Sequence, residues 1–227
     1  MTAWFITGTH TGIGKTVVTG LLGRFLKEKG DSVITQKWIQ TGANTESNDI
    51  HNHDKIMNVL DDPEIRSVEA TMRCPYRLSF PSSPHLAAKL ENIVIDPQFI
   101  KEQYHLLSRR FDHVIIEGSG GLLVPYSTNG LLVDIVQSLH IPILLVSENI
   151  LGTINQSLLT IEAIQKRSIP FLGTILNQVH PENAQIAEDN PVAIGNFTSS
   201  PIIGSLPYSP NIDKLYQHLS YAADGLC

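Results

Sequence analysis

Residues 8–16 combine glycines, a lysine and a threonine in a pattern that suits binding of a nucleoside triphosphate. Glycines let the backbone turn tightly and direct its N–H groups at phosphate oxygens. Lys15 has the length to reach the β- and γ-phosphates, and the Thr16 hydroxyl can ligate Mg²⁺. Five residues separate Gly8 from Gly14, one more than in the common form of this loop. The segment predicts a phosphate-binding loop, or P-loop, rather than an ordinary glycine-rich turn, but it does not specify the reaction.

Three polar side chains stand where apolar runs of strand length end. Lys37 ends one run, Glu117 ends a second and precedes the glycine-rich segment 118–121, and Asn177 ends a third. Because parallel strands present ligands at their carboxyl ends, these side chains should face the same crevice as the P-loop. A carboxylate there suits a metal ligand, and an asparagine amide suits an adenine edge. The alternatives are a solvated surface lysine for Lys37 and a simple turn after Glu117.

A polar segment, residues 40–54, holds two histidines and two aspartates that together look like a metal cluster. A zinc site made by His51, His53 and the carboxylates is one interpretation, although such a site needs a third ligand on a fixed scaffold. The interpretation that the sequence favours is that one aspartate, Asp49 or Asp54, reaches the magnesium ion of the nucleotide. The histidines are then expected in a polar loop.

Apolar runs alternate with helical patterns along the chain, which favours an α/β fold with a mostly parallel sheet and helices on both faces. The helix after the P-loop carries apolar residues at helical spacing and is stopped by Gly30. The polar residues 178–200 resist assignment. We predict strands at residues 3–7, 32–38, 113–116, 141–146, 171–176 and 202–206, and helices at 16–29, 100–110 and 154–167.

The composition predicts one soluble globular domain over residues 1–227, with 42% apolar and 17% charged residues. The net charge of −6 argues against nucleic acid as a partner, because neutralising phosphates requires a basic face. No apolar run approaches the roughly 20 residues of a membrane span, and the amino terminus lacks the pattern of a signal peptide. Cys74 and Cys227 are expected to be free thiols in a reducing compartment, so we expect a cytoplasmic protein.

A series of ordered motifs resembles those of the dethiobiotin synthetase family and covers the chain from Phe5 to about Pro207. Three features depart from the family pattern: Gly12 stands where some members have glutamate, Trp38 replaces a proline, and a tyrosine that some members place between Asn177 and Pro207 has no match. The matching motifs are GTHTGIGKT at residues 8–16, KWIQTG at 37–42, SPH at 83–85, EGSGG at 117–121 with Pro125 beyond it, and LGTIN at 151–155.

The resemblance implies a P-loop NTPase fold, ATP and Mg²⁺ as cofactors, and a homodimer in which residues 152–155 bind the substrate carboxylate across the interface. Lys37 and Lys15 would be the catalytic residues, and Thr16, Asp54 and Glu117 would surround the magnesium ion. Nucleotide-binding roles are implied for Gly12, Ile13, Gly14, Lys15, Thr16, Val17, Asp54, Glu117, Gly118, Ser119, Gly120, Asn177 and Pro207. Substrate-binding roles are implied for Thr11, Lys37, Thr41, Gly121, Gly152, Thr153 and Asn155.

The reaction that the resemblance implies closes the cyclic urea of dethiobiotin in biotin biosynthesis. One amine of 7,8-diaminononanoate takes up CO₂ as a carbamate, ATP converts the carbamate to a carbamic–phosphoric anhydride, and the second amine displaces phosphate. Three alternatives remain. A partitioning ATPase that works as a dimeric switch typically has an extra lysine where this chain has Thr9, His10 and Thr11. A non-catalytic regulatory relative is disfavoured by the retained polar residues, and an amidoligase of the cobyrinic acid type would need a glutaminase domain.

Overall fold

The computed structural model describes residues 2–226, so Met1 and Cys227 lie outside the described residues. Its strands are β1 (Thr2–Gly8), β2 (Val33–Lys37), β3 (Ile39–Thr41), β4 (Tyr76–Leu78), β5 (His113–Glu117), β6 (Ile143–Glu148), β7 (Phe171–Asn177) and β8 (Ile202–Leu206). Its helices are α1 (Lys15–Glu28), α2 (Asn48–Ile56), α3 (Pro63–Arg66), α4 (Ala70–Arg73), α5 (Pro84–Leu90), α6 (Pro97–Ser108), α7 (Leu132–Ser138), α8 (Thr153–Lys166), α9 (Ala184–Thr198) and α10 (Ile212–Ala223), and a 3₁₀ turn follows at Asp224–Leu226.

Six strands form one parallel sheet in the order β2-β5-β1-β6-β7-β8. Apolar side chains are buried on both of its faces. Leu144 and Leu145 follow one another in β6 and therefore point to opposite faces, and each belongs to a different core cluster. Ile161 of α8 and Ile194 of α9 pack with Leu145, whereas Leu21 of α1 lies in the cluster that contains Leu144. The predicted α/β class with helices flanking a parallel sheet is confirmed.

Helix α1 follows the P-loop directly and lies within one residue of its predicted bounds. The residue before it, Gly14, has a φ of 90°, a left-handed conformation that favours glycine. Val18, Leu22 and Leu26 recur every four residues and are fully buried, which fixes the face that the helix turns to the sheet. The helix ends one residue short of Lys29, and Gly30 follows with a φ of 102°.

A helix occupies part of each of the two polar segments, residues 40–54 and 178–200. Helix α2 begins at Asn48, inside the polar segment 40–54, and ends at Ile56. The prediction of a polar loop there is therefore wrong. Ser47 caps this helix by accepting a hydrogen bond from the Ile50 amide at 3.2 Å. Its buried side chains are His53 and Ile56, too few apolar positions to produce a helical pattern. Helix α9 similarly begins at an Asn183 cap and contains a proline in its interior.

The carboxyl ends of β1, β2, β5 and β7 meet at one edge of the sheet. Lys37 at the end of β2 is the direct partner of Glu117 at the end of β5, and Ile6 in β1 is the partner of Glu117 on the other side. Side chains of directly paired residues on neighbouring strands project to the same face, so the register alone brings Lys37 beside Glu117. Within residues 2–226 none of the helices combines the length and apolar character that a membrane span requires.

Candidate active site

A cavity of about 820 Å³ opens at the carboxyl edge of the sheet, between the P-loop, the end of β2 and residues 81–84. Gln40 and Asp49 line it together with many of the residues that the sequence singled out. The structure therefore brings many of the predicted phosphate, metal and substrate residues into one cleft, although Asp54 is not among them. The predicted residues that line it are Thr11, Gly12, Gly14, Lys15, Thr16, Val17, Lys37, Thr41, Glu117, Ser119 and Gly120.

Asn177 supports the P-loop through a hydrogen bond. The Asn177 side-chain amide donates a hydrogen bond to the Ile13 carbonyl at 2.8 Å, and a Cβ on Gly14 would collide with that amide. Glycine at position 14 is thus required both by its positive φ and by this close approach. Lys15 crosses the loop and donates to the His10 carbonyl at 2.9 Å. Burial and the neighbouring charge of Lys37 lower the pKa of Lys15 to about 8.

Lys37 lies between two carboxylates at the base of the cavity. Its ammonium nitrogen is 2.7 Å from Asp49 Oδ2 and 2.8 Å from Glu117 Oε1, and it donates to the Gly118 carbonyl at 3.0 Å. An ammonium group has three N–H donors, so every one of them has an acceptor. The Lys37 side chain is almost completely buried. The alternative of a solvated surface lysine is therefore wrong, and Lys37 lines the same cavity as the P-loop.

The charges in this cluster stabilise one another. Burial by itself would raise the pKa of Glu117, but Lys37 and the hydrogen bond from His53 hold it at about 2. Burial likewise acts to lower the pKa of Lys37, and the adjacent Glu117 and Asp49 carboxylates outweigh it and raise that pKa. Glu117 and Lys37 are therefore both held in their charged forms at neutral pH.

Thr16 joins the P-loop to the two carboxylates. Its hydroxyl oxygen lies 3.2 Å from Glu117 Oε1 and 3.4 Å from Asp49 Oδ1. Two carboxylates and one hydroxyl are hard oxygen donors of the kind Mg²⁺ prefers. In the described part of the chain, no group of three or more His, Cys, Asp or Glu residues is placed to hold a metal ion. A magnesium ion here would complete its shell with phosphate oxygens and water, as is usual beside a nucleotide.

Asp54 does not belong to this group, which corrects the metal ligand that the resemblance implied. Both oxygens of its carboxylate accept hydrogen bonds from Arg73, at 2.7 and 2.6 Å. Arg73 in turn donates to the hydroxyl and the carbonyl of Thr35 in β2, at 3.0 and 3.3 Å. Asp54 thereby ties α2 to α4 and β2 on the side of the helix away from the cavity. Asp49 occupies the place expected for Asp54.

His53 lies behind the cavity and contacts Glu117, a position that the sequence did not predict. It is completely buried, and its Nε2 atom lies 2.7 Å from Glu117 Oε2. His51, in contrast, is exposed, so the two histidines do not converge on a shared site. The available signal was the spacing of Asp49 and His53: residues four apart in a helix share a face. Reading that signal requires knowing that the segment is helical.

The glycines after Glu117 fit tightly against the backbone of neighbouring segments. A Cβ on Gly118 would approach the Phe5 ring to 2.8 Å, and a Cβ on Gly121 would lie 3.2 Å from the Thr9 carbonyl oxygen. Gly120 has a φ of 68° and faces the cavity. The Ser119 hydroxyl donates to the Ile39 carbonyl at 2.5 Å. The sequence after Glu117 is therefore required by packing between β5 and the P-loop as well as by the cleft.

Asn177 and Pro207 are neighbours, whereas residues 152–155 lie elsewhere. Asn177 pairs with Leu206 in the sheet, so Pro207 follows directly beside it. Gly152 has a φ of 93° and precedes α8, where the Thr153 side chain is buried against Ser147. Asn155 is exposed in the first turn of α8. None of residues 152–155 lines the cavity formed by this chain.

Known proteins resemble the chain along most of its length. A family model described as an AAA domain matches residues 2–215. The chain is 42% identical over 224 residues to the ATP-dependent dethiobiotin synthetase BioD of Halalkalibacterium halodurans, covering 96% of this chain and 91% of that protein. It is 39% identical to the ATP-dependent dethiobiotin synthetase BioD 2 of Haemophilus influenzae, with 84% and 97% covered. The MinD cell division protein of Aquifex aeolicus is similar in fold, with a TM-score of 0.62, 15% identity, and 100% and 96% covered.

Proposed function

This chain belongs to the ATP-dependent dethiobiotin synthetase family, and from that premise we propose that it closes the ureido ring of dethiobiotin from 7,8-diaminononanoate, CO₂ and ATP. The activity is that of an ATP-dependent cyclo-ligase in biotin biosynthesis. The observation that carries the mechanism is the position of Lys37, a second buried cation in the same cavity as the P-loop lysine. A P-loop alone suits one anion, whereas this pair of lysines suits a triphosphate next to a carbamate.

The nucleotide is held by the P-loop. Lys15 and the backbone N–H groups of residues 12–17 hold the phosphates, aided by the partial positive charge at the start of α1. Asn177 and Pro207 form one side of the adenine site, while Gly118, Ser119 and Gly120 border the phosphates. The Asn177 side-chain amide also donates a hydrogen bond to the Ile13 carbonyl of the P-loop.

Thr16, Asp49 and Glu117 would supply the protein oxygen ligands of a magnesium ion. Their oxygens converge around a single point of the cleft, where Thr16 contacts both carboxylates within 3.4 Å. Bound Mg²⁺ supplies charge neutralisation for the phosphoryl group that is transferred. The Lys37 ammonium group lies in this cluster as well, so Lys37 is held by the same two carboxylates that hold the metal.

Lys37 binds and orients the carbamate that forms when one amine of the diamine takes up CO₂ and releases a proton. A carbamate oxygen attacks the γ-phosphorus, the bond to the ADP leaving group breaks, and a carbamic–phosphoric anhydride results. Lys15 and Lys37 offset the charge that develops during this transfer. The second amine then attacks the carbonyl carbon and gives up a proton, and phosphate leaves with that proton and the former carbamate oxygen. Thr11, Thr41 and Gly121 position the diamine beside these groups.

The substrate carboxylate is bound by a second copy of the chain. Residues 152–155 begin α8, whose free N–H groups suit a carboxylate, but they do not line the cavity of their own chain. Leu151, next to this helix start, and Leu159, further along α8, are exposed apolar side chains. An apolar surface beside an isolated anion site supports a homodimer in which each subunit completes the cavity of the other. A cytoplasmic location and a single domain accord with this assignment.

The function is tested by measuring phosphate release from ATP in the presence of Mg²⁺ and bicarbonate, with and without 7,8-diaminononanoate. We expect release to require both bicarbonate and the diamine, and mass spectrometry to identify dethiobiotin as the product. Turnover of ATP that is indifferent to the diamine would overturn the proposal and favour a nucleotide switch that acts on a protein partner.

A further inference from the structure

His53 lies behind the site rather than in it. The side chain has no exposed surface, and it does not line the cavity. Its one hydrogen-bond partner within residues 2–226 is Glu117, through Nε2 and Oε2 at 2.7 Å, and Nδ1 has none. A buried histidine with a single, short contact to a carboxylate of the active site needs a physical explanation, because a leucine would fill the same space without burying polar atoms.

The donor in this hydrogen bond is His53. Glu117 Oε1 lies 2.8 Å from the Lys37 ammonium nitrogen, and this ion pair holds the carboxylate in its ionised form. An ionised carboxylate only accepts hydrogen bonds, so the proton is on Nε2.

The two carboxylate oxygens of Glu117 have different hydrogen-bond partners. Oε2 accepts from His53, whereas Oε1 accepts from Lys37 at 2.8 Å and from Thr16 at 3.2 Å. Oε1 is therefore the oxygen on the P-loop side of the carboxylate. With Oε2 held by a ring fixed in the core, the carboxylate plane cannot turn and Oε1 keeps its direction.

Helix α2 connects both carboxylates of the cluster. Asp49 and His53 are four residues apart and lie on one face of the helix, with Asp49 contacting Lys37 and His53 contacting Glu117. On another face, Asp54 holds the helix to Arg73. The rotation of α2 thus sets the position of Asp49 directly and that of Glu117 through His53.

We propose that His53 is a positioning residue that holds Oε2 of Glu117 and thereby presents Oε1 to the magnesium ion of the nucleotide. The proposal rests on the proposed function for the identity of the metal–nucleotide ligand. Partners that orient metal-binding side chains typically change metal affinity or activity by about 10–100-fold when they are removed.

The test compares His53→Gln with His53→Met in the full-length protein. The two replacements have similar length, but only glutamine carries an amide N–H₂ that can donate to Glu117. The first measurement is the dissociation constant of ADP by calorimetry, with EDTA and with saturating Mg²⁺. The ratio of the two constants reports the metal contribution to binding without any turnover. The second measurement is the Mg²⁺ concentration that half-saturates kcat. Circular dichroism and thermal unfolding report whether each variant folds.

We expect His53→Met to reduce the Mg²⁺ enhancement of ADP binding by about tenfold and to raise the half-saturating Mg²⁺ concentration by a similar factor. His53→Gln should stay within about threefold of the unaltered protein, and ADP binding in EDTA should be the same in all three. Equal values for all three proteins, or equal impairment of both folded variants, would overturn the proposal. Should His53→Met fail to fold, His53→Asn replaces it, because its amide is too short to reach Glu117.

Failure of this proposal and failure of the proposed function give different results. A Mg²⁺ enhancement of ADP binding that depends on residue 53 supports the positioning role even when 7,8-diaminononanoate has no effect on ATP turnover. Turnover that requires the diamine, together with a Mg²⁺ dependence unaffected in His53→Met, supports the enzyme and overturns the positioning role.

Discussion

Lys37 is the residue on which the proposed chemistry depends most directly. Its ammonium group contacts Asp49, Glu117 and the Gly118 carbonyl within 3.0 Å, while its charge faces the cavity that the P-loop borders. A cation held in a fixed, buried position does not have to reorganise when negative charge develops on a nearby group. Lys15 supplies a second such charge, with a pKa lowered to about 8 by burial and by Lys37. Substitution of Lys37 and substitution of Lys15 should therefore have different effects.

We predict that Lys37→Met lowers kcat by at least about 100-fold and changes the dissociation constant of ATP by less than about threefold. Methionine keeps the length of the side chain and removes the charge that acts on the transferred group, whereas Lys15 and the loop amides still hold the triphosphate. Steady-state kinetics and calorimetry measure the two effects. Lys166→Met, at an exposed position in the last turn of α8, serves as the control. A parallel loss of ATP affinity would show that Lys37 binds the nucleotide instead.

We predict opposite results for the two aspartates of α2. Asp49→Asn should raise the half-saturating Mg²⁺ concentration by about tenfold or more, because it removes one of the two carboxylates near Thr16. Asp54→Asn should leave that concentration unchanged and lower the free energy of unfolding by about 3 kcal/mol, because it leaves Arg73 without its buried partner. Magnesium titrations and urea unfolding distinguish them. A magnesium effect of Asp54→Asn alone would restore Asp54 as the metal ligand.

We predict that ADP affinity falls as the pH rises from 7 to 9. The pKa of Lys15 in the free protein is about 8 rather than its ordinary 10.5, so the charge that phosphate needs is present below pH 8 and is lost above it. One pH unit above the pKa about one-tenth of the lysine is protonated, and the expected loss of affinity is about tenfold. Lys37 keeps its charge in this window, because its carboxylate neighbours raise its pKa. Calorimetry on Lys15→Gln should show weak binding with no such pH dependence.

The P-loop works as an element because a strand residue far along the chain supports it. Asn177, at the end of β7, holds the Ile13 carbonyl and occupies the space next to Gly14. Gly12 has a similar positive φ of 84°, but no atom lies within 4 Å of the position where its Cβ would stand. Alanine at position 12 would therefore add backbone strain alone, whereas alanine at position 14 would add both strain and a clash with Asn177.

We predict that Gly12→Ala lowers the free energy of unfolding by about 1–2 kcal/mol, the cost of the left-handed conformation. Gly14→Ala should cost more and should also abolish ADP binding, because the new methyl group displaces the Asn177 amide from the loop. Urea unfolding and calorimetry measure the two quantities. Equal destabilisation by both substitutions, with ADP binding retained, would contradict the role given to Asn177.

The whole molecule presents its ligands at one edge of a parallel sheet, and α8 is the element that this arrangement leaves out. The cavity collects residues from β2, β3, β5, α2 and the P-loop, while residues 152–155 stand apart from it. The proposed homodimer would resolve the difference, because the anion site of one copy would then complete the cavity of the other. The exposed Leu151 and Leu159 beside that site are the side chains such an interface would bury.

We predict that two inactive variants restore activity when they are mixed. Lys37→Met removes the catalytic lysine, and Asn155→Asp places a negative charge where the substrate carboxylate should bind. In a mixed dimer one of the two sites has both residues unaltered. Random exchange makes half of the dimers mixed, so activity should recover to about one quarter of the unaltered protein. Activity that remains at the level of the separate variants, although light scattering shows a dimer, would place the carboxylate within one chain.

Local patterns in the sequence determined the P-loop, the strands with Lys37, Glu117 and Asn177 at their ends, and the parallel sheet. These features follow from residues close to one another in the chain: glycines before Lys15-Thr16, and apolar runs that only a buried strand accommodates. Motif order was sufficient to indicate the enzyme family. The bounds of β8 are predicted correctly, and those of α1 lie within one residue.

The tertiary structure alone decided the roles of Asp49, His53 and Asp54. A helix with an apolar face has its rotation fixed by burial, and its pattern is visible in the sequence. Helix α2 has almost no such face, so its rotation is set by distant partners: Lys37 and Glu117 on one side and Arg73 on another. Polar contacts between residues 12 to 64 positions apart leave no local periodicity. For that reason the sequence identified the polar segment 40–54 as important, and only the fold identified which of its carboxylates enters the site.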